Sequence, residues 1–222
     1  MVRDPLGSRS VLLAGATGLV GRELLDGLLA DNAVREVHTL SRRELPLRHP
    51  KLAQHKVDFA ALPSLPPVDE AYLALGTTIK VAGSQAAFRA VDYDANLAVA
   101  RAARAAGARR LGLVSAMGAD AASSLFYNRV KGELETVLAT LDYEGRVIAR
   151  PSFLTGNRAA LGQPERSGEG LALKVSTVLR PLIPANYRSI AASDVAAALL
   201  RTVPTAKGGQ VLLSGAMQRN AG

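Results

Sequence analysis

Apolar residues along this chain fall into two patterns that alternate from one end to the other. Short unbroken runs such as Val11-Leu-Leu-Ala14 are what strands buried on both faces look like. Between them lie longer stretches whose apolar positions recur every three or four residues, as on one side of a helix. Strands are therefore expected over residues 10–14, 36–41, 56–59, 71–75, 110–115, 145–149 and 210–213, and helices over residues 19–30, 84–106 and 126–141. Gly107 closes the Ala-rich helix, and a last helix is expected to be capped by Ser193 and to run through Arg201. Strands and helices in alternation predict an α/β fold, a doubly wound parallel sheet with helices on both faces. Two stretches interrupt the pattern. Residues 62–67 are Pro-rich and read as a loop; residues 157–170 mix Gly, Pro, Ser and charge and read as a mobile segment, part of a substrate-side insertion over about residues 155–190. No repeat or linker divides the chain, so residues 1–222 read as a single domain.

With 222 residues, 48% of them hydrophobic, the chain has the material for a sizeable core. No apolar run approaches the roughly 20 residues of a bilayer span, and Met1-Val-Arg-Asp-Pro5 does not resemble a signal peptide, so the expectation is a cytoplasmic protein with no membrane partner. The absence of cysteine excludes disulfides, thiolate metal sites and thiol nucleophiles. The three histidines, His38, His49 and His55, lack the spacing of zinc ligands, and no metal is expected. A net charge of +8 raises the question of an anionic partner. Arg42, Arg43, Arg48 and Lys51 form one basic concentration and Arg101, Arg104, Arg109 and Arg110 another, but neither is interleaved with aromatics and tryptophan is absent. No stacking platform for nucleic acid is evident, and the second concentration reads as a solvated face.

The candidate chemistry begins at the first strand end. Gly15, Gly18 and Gly21 follow it at three-residue spacing and lead into a helix. Gly15 suits the sharp turn, Gly18 lets backbone approach a pyrophosphate, and Gly21 lets helix pack close to strand. The helix N-terminus supplies unpaired N–H groups to the anion. At the end of the second strand stand Ser41, Arg42 and Arg43, with no carboxylate to hold a ribose diol; guanidinium groups there favour a 2′-phosphate and hence NADP over NAD, Arg42 first because it lies nearer the strand. Tyr127 and Lys131, four apart on a helix, share one face, where the cation would tune the phenol toward acid–base work. Ser115, twelve positions earlier, ends the fifth strand at the crevice where such folds bind ligands.

These segments together resemble a known family. Gly15-Ala-Thr-Gly-Leu-Val-Gly21, Leu75-Gly-Thr-Thr78, Val114-Ser-Ala-Met-Gly-Ala-Asp120, Tyr127-Asn-Arg-Val-Lys-Gly-Glu133 and Arg150-Pro-Ser-Phe-Leu-Thr-Gly156 are similar to the atypical short-chain dehydrogenases/reductases, in the subgroup of the human Tat-interacting protein and its bacterial relatives. The resemblance implies a Rossmann-like domain binding NADP(H), with Ser115, Tyr127 and Lys131 as the catalytic trio. Tyr127 would be the general acid for carbonyl reduction and the base in reverse; Ser115 would hydrogen-bond the substrate oxygen, and Lys131 would contact the nicotinamide ribose. It also implies cofactor contacts from Thr17, Leu19 and Val20 in the glycine turn, from Asp58 and Phe59 near the adenine, from Leu75, Gly76 and Thr77 near the pyrophosphate and ribose, and from Pro151, Ser152 and Phe153 across the nicotinamide. The fourth residue of the family's active site, an Asn on the helix after the fourth strand, has no secure counterpart. Asn96 lies on that helix but reads as a surface residue.

Two functions follow as expectations. One is an NADPH-dependent oxidoreductase transferring a hydride to a small carbonyl or related acceptor, working as a monomer or homodimer. The other is an NADPH-binding regulatory or scaffold protein. An intact Tyr127 and Lys131 favour the enzyme. Substrate choice would reside in residues 157–186.

Overall fold

A computed structural model describes residues 8–155 and 184–218. The expected mobile segment, and most of the expected insertion around it, lie outside these residues. In chain order the strands are β1 (Arg9–Ala14), β2 (Val34–Ser41), β3 (Leu52–Lys56), β4 (Glu70–Leu73), β5 (Arg110–Val114), β6 (Gly145–Arg150), β7 (Leu154–Thr155), β8 (Ile190–Ala191) and β9 (Gly208–Leu213). The described helices are α1 (Leu19–Ala30), α2 (Ile79–Ala82), α3 (Gln85–Arg89), α4 (Asn96–Ala105), α5 (Phe126–Ala139), α6 (Ala192–Thr202) and α7 (Ser214–Met217).

Seven strands pair in parallel in the order β3-β2-β1-β4-β5-β6-β9, while β7 and β8 form a small parallel pair of their own. The chain steps outward from β1 to β3, then returns to the other side of β1 for β4. That reversal opens a crevice at the carboxyl ends of β1 and β4, the place where doubly wound sheets bind ligands.

Val11, Leu12, Leu13 and Ala14 are all fully buried, as a central strand covered on both faces requires. Their alternation assigns them to two layers. Val11 and Leu13 pack with Leu24, Leu28 of α1 and Val195, Leu199 of α6, whereas Leu12 and Ala14 pack with Val99, Ala103 of α4 and Leu134, Leu138 of α5. The doubly wound, two-sided fold expected from the sequence is the observed one.

Three expectations need correction. The third strand lies at Leu52–Lys56 rather than residues 56–59: as a half-buried edge strand it carries a weak apolar signal. The apolar Val57 and Phe59 beyond it belong to the turn, where Asp58 accepts the Ala60 amide on its side chain (3.0 Å) and the Ala61 amide on its carbonyl (3.1 Å). The long helix over residues 84–106 is divided, α3 passing into a π-helical stretch over Ala90–Ala95 before α4 resumes. Ser193 is not a cap, because β8 runs directly into α6, whose cap is Ala191 and whose first residue is Ala192. Among the described residues no helix is long and apolar enough to cross a membrane.

Candidate active site

The glycine turn after β1 is shaped by contact with the loop after β4. Gly15 has φ +94, and a Cβ there would lie 2.4 Å from the carbonyl carbon and oxygen of Ala74. Gly21 lies even closer to backbone, since a Cβ on it would sit 1.9 Å from the Gly15 carbonyl oxygen. Gly18 differs from both. Its φ of −81 is open to any residue, and a Cβ would meet only ordinary contacts at 3.4 and 3.8 Å. Packing within the protein explains Gly15 and Gly21; it does not require Gly18. Behind the turn, α1 begins with no side-chain cap and no acidic residue in its first turn, so its leading amides and positive dipole end are not offset by a carboxylate there. Thr17 is exposed and Leu19 half-buried at this mouth, while Val20 is buried in the core beneath it.

Ser41 ends β2, next to β1 in the sheet, and its hydroxyl donates to the Arg43 carbonyl at 2.5 Å. This tight turn carries Arg42 and Arg43 outward. Both are exposed, and neither guanidinium has a partner among the described residues. Asp58 is exposed with its side chain engaged in its own turn, and Phe59 packs against the core layer of Leu12 and Leu40.

The loop after β4 connects the glycine turn to a second set of groups. Ala74 touches Gly15, and two residues on a Cβ at Gly76 would lie 3.5 Å from Asp92 Oδ1 and 4.0 Å from Lys131 Nζ. Asp92, on the π-helical stretch, accepts the Thr77 amide on Oδ2 at 2.8 Å, and Lys131 Nζ stands 2.7 Å from its Oδ1. The two side chains are only 1% and 5% exposed. Asn96 is buried too, donating to the carbonyls of Leu75, Val91 and Asp92 at 3.2 Å each. The expected surface position of Asn96 is therefore wrong: it holds the β4 loop from below. A widened π turn at a functional cleft is a recurrent device, and here it coincides with Asp92 facing that loop.

Burial pulls the Lys131 ammonium down, but the Asp92 carboxylate, with Tyr127 and Glu135, more than offsets it, so Lys131 is held above the ordinary lysine value. Tyr127, one helical turn earlier on α5, is half-buried with its ring 5.3 Å from that of Phe88, and its hydroxyl has no hydrogen-bond partner among the described residues. Arg89 reaches across from α3 to Glu133 of α5 at 2.5 Å, fixing the helix that carries Tyr127 against the helix that leads to Asp92.

Ser115 is buried just after β5, and its hydroxyl donates to Glu135 Oε1. Glu135 in turn takes a forked interaction from Arg150 at the end of β6, with Nη2 to Oε2 at 2.5 Å and Nε at 3.1 and 3.2 Å from its two oxygens. The serine proton is thus engaged by a carboxylate. Pro151 is buried and its carbonyl accepts the Met117 amide at 2.9 Å. Ser152 donates to the Arg188 carbonyl and receives Ser214 Oγ at 3.0 Å, so it ties β6 to the C-terminal elements. Phe153 stands 74% exposed and is not core packing.

Asp92, Glu135 and Arg150 are the residues to which sequence reasoning gave no role, and Asn96 is the one it misplaced. A signal existed for two of them. Phe88, Asp92, Asn96, Val99 and Ala103 form a stripe at helical spacing, all fully buried, and two polar residues on an apolar stripe mark a site rather than a surface.

No family model matches the chain. Among curated proteins it is 38% identical over 160 residues to the mitochondrial protein fmp52 of Emericella nidulans, covering 67% of this chain and 68% of that one. It is also 35% identical over 174 residues to protein HTATIP2 of Rattus norvegicus, covering 75% of this chain and 70% of that one. Among solved structures, MoeE5 in complex with UDP-glucose and NAD superposes with a TM-score of 0.66 at 20% identity, covering 91% of this chain and 75% of that one. A short chain dehydrogenase family protein from Francisella tularensis superposes at 0.67 with 12% identity, covering 94% and 98%. The relatives overturn the expected cytoplasmic location, because the FMP52 proteins of E. nidulans, Coccidioides immitis and Debaryomyces hansenii are all named mitochondrial. Excluding a secretory start does not separate cytoplasm from mitochondrion.

Proposed function

The chain belongs to the atypical short-chain dehydrogenases/reductases, the group of HTATIP2 and FMP52, and we propose on that footing that it is an NADPH-dependent oxidoreductase acting on a small carbonyl or related acceptor. The observation that carries this reading is the segment Ala74-Leu-Gly-Thr77, which meets the phosphate-type turn at Gly15 on one side and Lys131 on the other. One dinucleotide laid along it would place its pyrophosphate at the start of α1 and its nicotinamide ribose beside Lys131. The donor set fits such a group: uncapped amides at α1, a Gly18 that internal packing leaves unexplained, and two unpartnered guanidiniums beyond β2. Gly15, Thr17, Gly18, Leu19, Val20 and Gly21 would line the pyrophosphate, and Ser41, Arg42 and Arg43 the 2′-phosphate. Asp58 and Phe59 would border the adenine, and Pro151, Ser152 and Phe153 the nicotinamide.

When bound, the cofactor supplies the hydride. The chain's residues do the rest. Tyr127 donates its phenolic proton to the carbonyl oxygen as the hydride reaches the carbon, and takes a proton from solvent afterwards. Lys131 holds the ribose hydroxyls. Ser115 is the second hydrogen-bond donor to the substrate oxygen, its proton turning from Glu135 into the cleft when substrate arrives. That this proton is engaged by Glu135 is the one observation favouring a regulatory NADPH-binding protein instead, and turnover decides between them.

Arg42 gives a direct test of cofactor choice. A charge-assisted bond to phosphate is worth roughly 1.5–3 kcal/mol, so Arg42→Ala is expected to weaken NADPH binding by about tenfold to a hundredfold in a fluorescence titration and to leave NADH binding unchanged. Equal affinity of the unmodified protein for NADH and NADPH would refute the assignment.

A further inference from the structure

Ser115, Glu135 and Arg150 join three elements at the carboxyl end of the sheet. Leu111 and Leu113 of β5 belong to the layer packed with α4 and α5, and Ser115, two positions beyond Leu113, turns its hydroxyl to that same side, where Glu135 of α5 receives it. The serine main chain is fixed as well, its amide donating to the Ala149 carbonyl of β6 at 2.8 Å. Glu135 lies one helical turn beyond Lys131 and two beyond Tyr127, so all three fall on one face of α5. Both of its oxygens are occupied. Oε1 takes the serine proton and Arg150 Nε, and Oε2 takes Arg150 Nη2 at 2.5 Å. Ser115 and Glu135 are only 5% and 7% exposed, so water scarcely competes for the bond between them.

This arrangement sets a condition on Ser115, resting on the reading of the site as a reductase. A serine proton that turns toward a carbonyl has to leave a carboxylate, and a neutral carbonyl oxygen is the weaker acceptor of the two. The exchange becomes favourable as the hydride reaches the carbon and negative charge builds on the oxygen. We propose that Glu135 is the positioning residue for Ser115: clamped by Arg150, it withholds the serine proton from the bound carbonyl and yields it to the charged oxygen of the transition state. An interaction made more strongly in the transition state than in the bound substrate raises kcat and not affinity. The transition state is common to both directions, so the preference serves alcohol oxidation as well as carbonyl reduction.

The test is a double-mutant cycle of Ser115→Ala and Glu135→Gln, with kcat and KM measured at saturating NADPH on an acceptor that the unmodified protein reduces. Ser115→Ala is expected to lower kcat by about tenfold to a hundredfold, the worth of a hydrogen bond to a charged group, and to leave KM unchanged. Glu135→Gln keeps the shape and removes the charge. An amide holds the serine proton less strongly than a carboxylate does, so the bound carbonyl gains a donor and KM is expected to fall by about threefold or more. In the combined variant KM stays at the Ser115→Ala value, because no hydroxyl is left for Glu135 to act on. A purely structural Glu135 would alter KM alike with and without the serine. That result, or an unchanged KM in Glu135→Gln, overturns the proposal and leaves Glu135 as a tie between α5 and β6. If Glu135→Gln does not fold, Glu135→Met/Arg150→Met removes both charges together and frees the same hydroxyl; KM must fall there too, and only while Ser115 is present. The link itself is read without cofactor or turnover, as a slowly exchanging hydroxyl proton resonance of the ligand-free protein that disappears in Ser115→Ala and moves upfield or is lost in Glu135→Gln. Its absence from the unmodified protein is equally fatal. No turnover of any acceptor by the unmodified protein refutes the reductase reading, and this proposal with it; turnover with an unchanged KM in Glu135→Gln refutes the proposal alone.

Discussion

Tyr127→Phe is expected to lower kcat for carbonyl reduction by a factor of about 10²–10⁴, the range that a positioned general acid supplies, while leaving the affinity for NADPH and the melting temperature as they were. The phenylalanine keeps the ring that packs 5.3 Å from Phe88 and removes only the hydroxyl, for which the described residues offer no partner whose loss would cost stability. The effect therefore falls on the chemical step. It is read by steady-state kinetics on any acceptor that the unmodified protein reduces, with cofactor titration and thermal denaturation as controls. A variant that retained its kcat would remove Tyr127 from the mechanism; one that lost NADPH binding with it would show the tyrosine to be a cofactor contact and not an acid.

The second large effect is on stability. Gly21→Ala places a Cβ about where the Gly15 carbonyl oxygen already lies, at 1.9 Å, and backbone on both sides leaves no flexible side chain to yield. Either α1 moves off β1 or the turn opens. Overpacking of this kind costs about 1–3 kcal/mol or more, which in a chain of this size is a loss of roughly 2–12 °C in Tm. Gly18→Ala is the matched control. Its Cβ meets Gly15 O at 3.4 Å and Ala74 O at 3.8 Å, so Tm should hold while NADPH binding is lost, because the added methyl occupies the space a phosphate needs. The two variants separate a glycine required by packing from one required by a ligand. If Gly18→Ala binds NADPH as well as the unmodified protein does, the turn is only a tight connection.

How far the sequence alone led depends on what each element is made of. The first helix was legible to the residue because Gly18 and the apolar spacing of Leu24, Leu25, Leu28 and Leu29 mark it. The central strands were legible because burial on both faces leaves continuous apolar runs. The edge strand β3 was not, since its Leu-Ala-Gln-His-Lys composition gives neither run nor clean alternation. The site divided in the same way. Its glycine turn and its Tyr127–Lys131 pair carry local signatures, whereas Glu135 acts through Ser115, 20 residues away, and has none, and Asp92, whose partner lies 39 residues away, shows only as a polar position on an apolar stripe. Asn96 was misread for a related reason: a polar residue on an Ala-rich helix looks solvated until the loop that it supports is seen above it.

The central claim is that the crevice between β1 and β4 holds NADPH over an acid on α5, and one measurement addresses it most directly: following NADPH oxidation by its absorbance across a broad panel of aldehydes, ketones and quinones, with Tyr127→Phe in parallel. At least one acceptor should be reduced by the unmodified protein and not by the variant. NADPH that binds yet is oxidised by none of the panel would contradict the account and make this a cofactor-reading protein rather than a reductase.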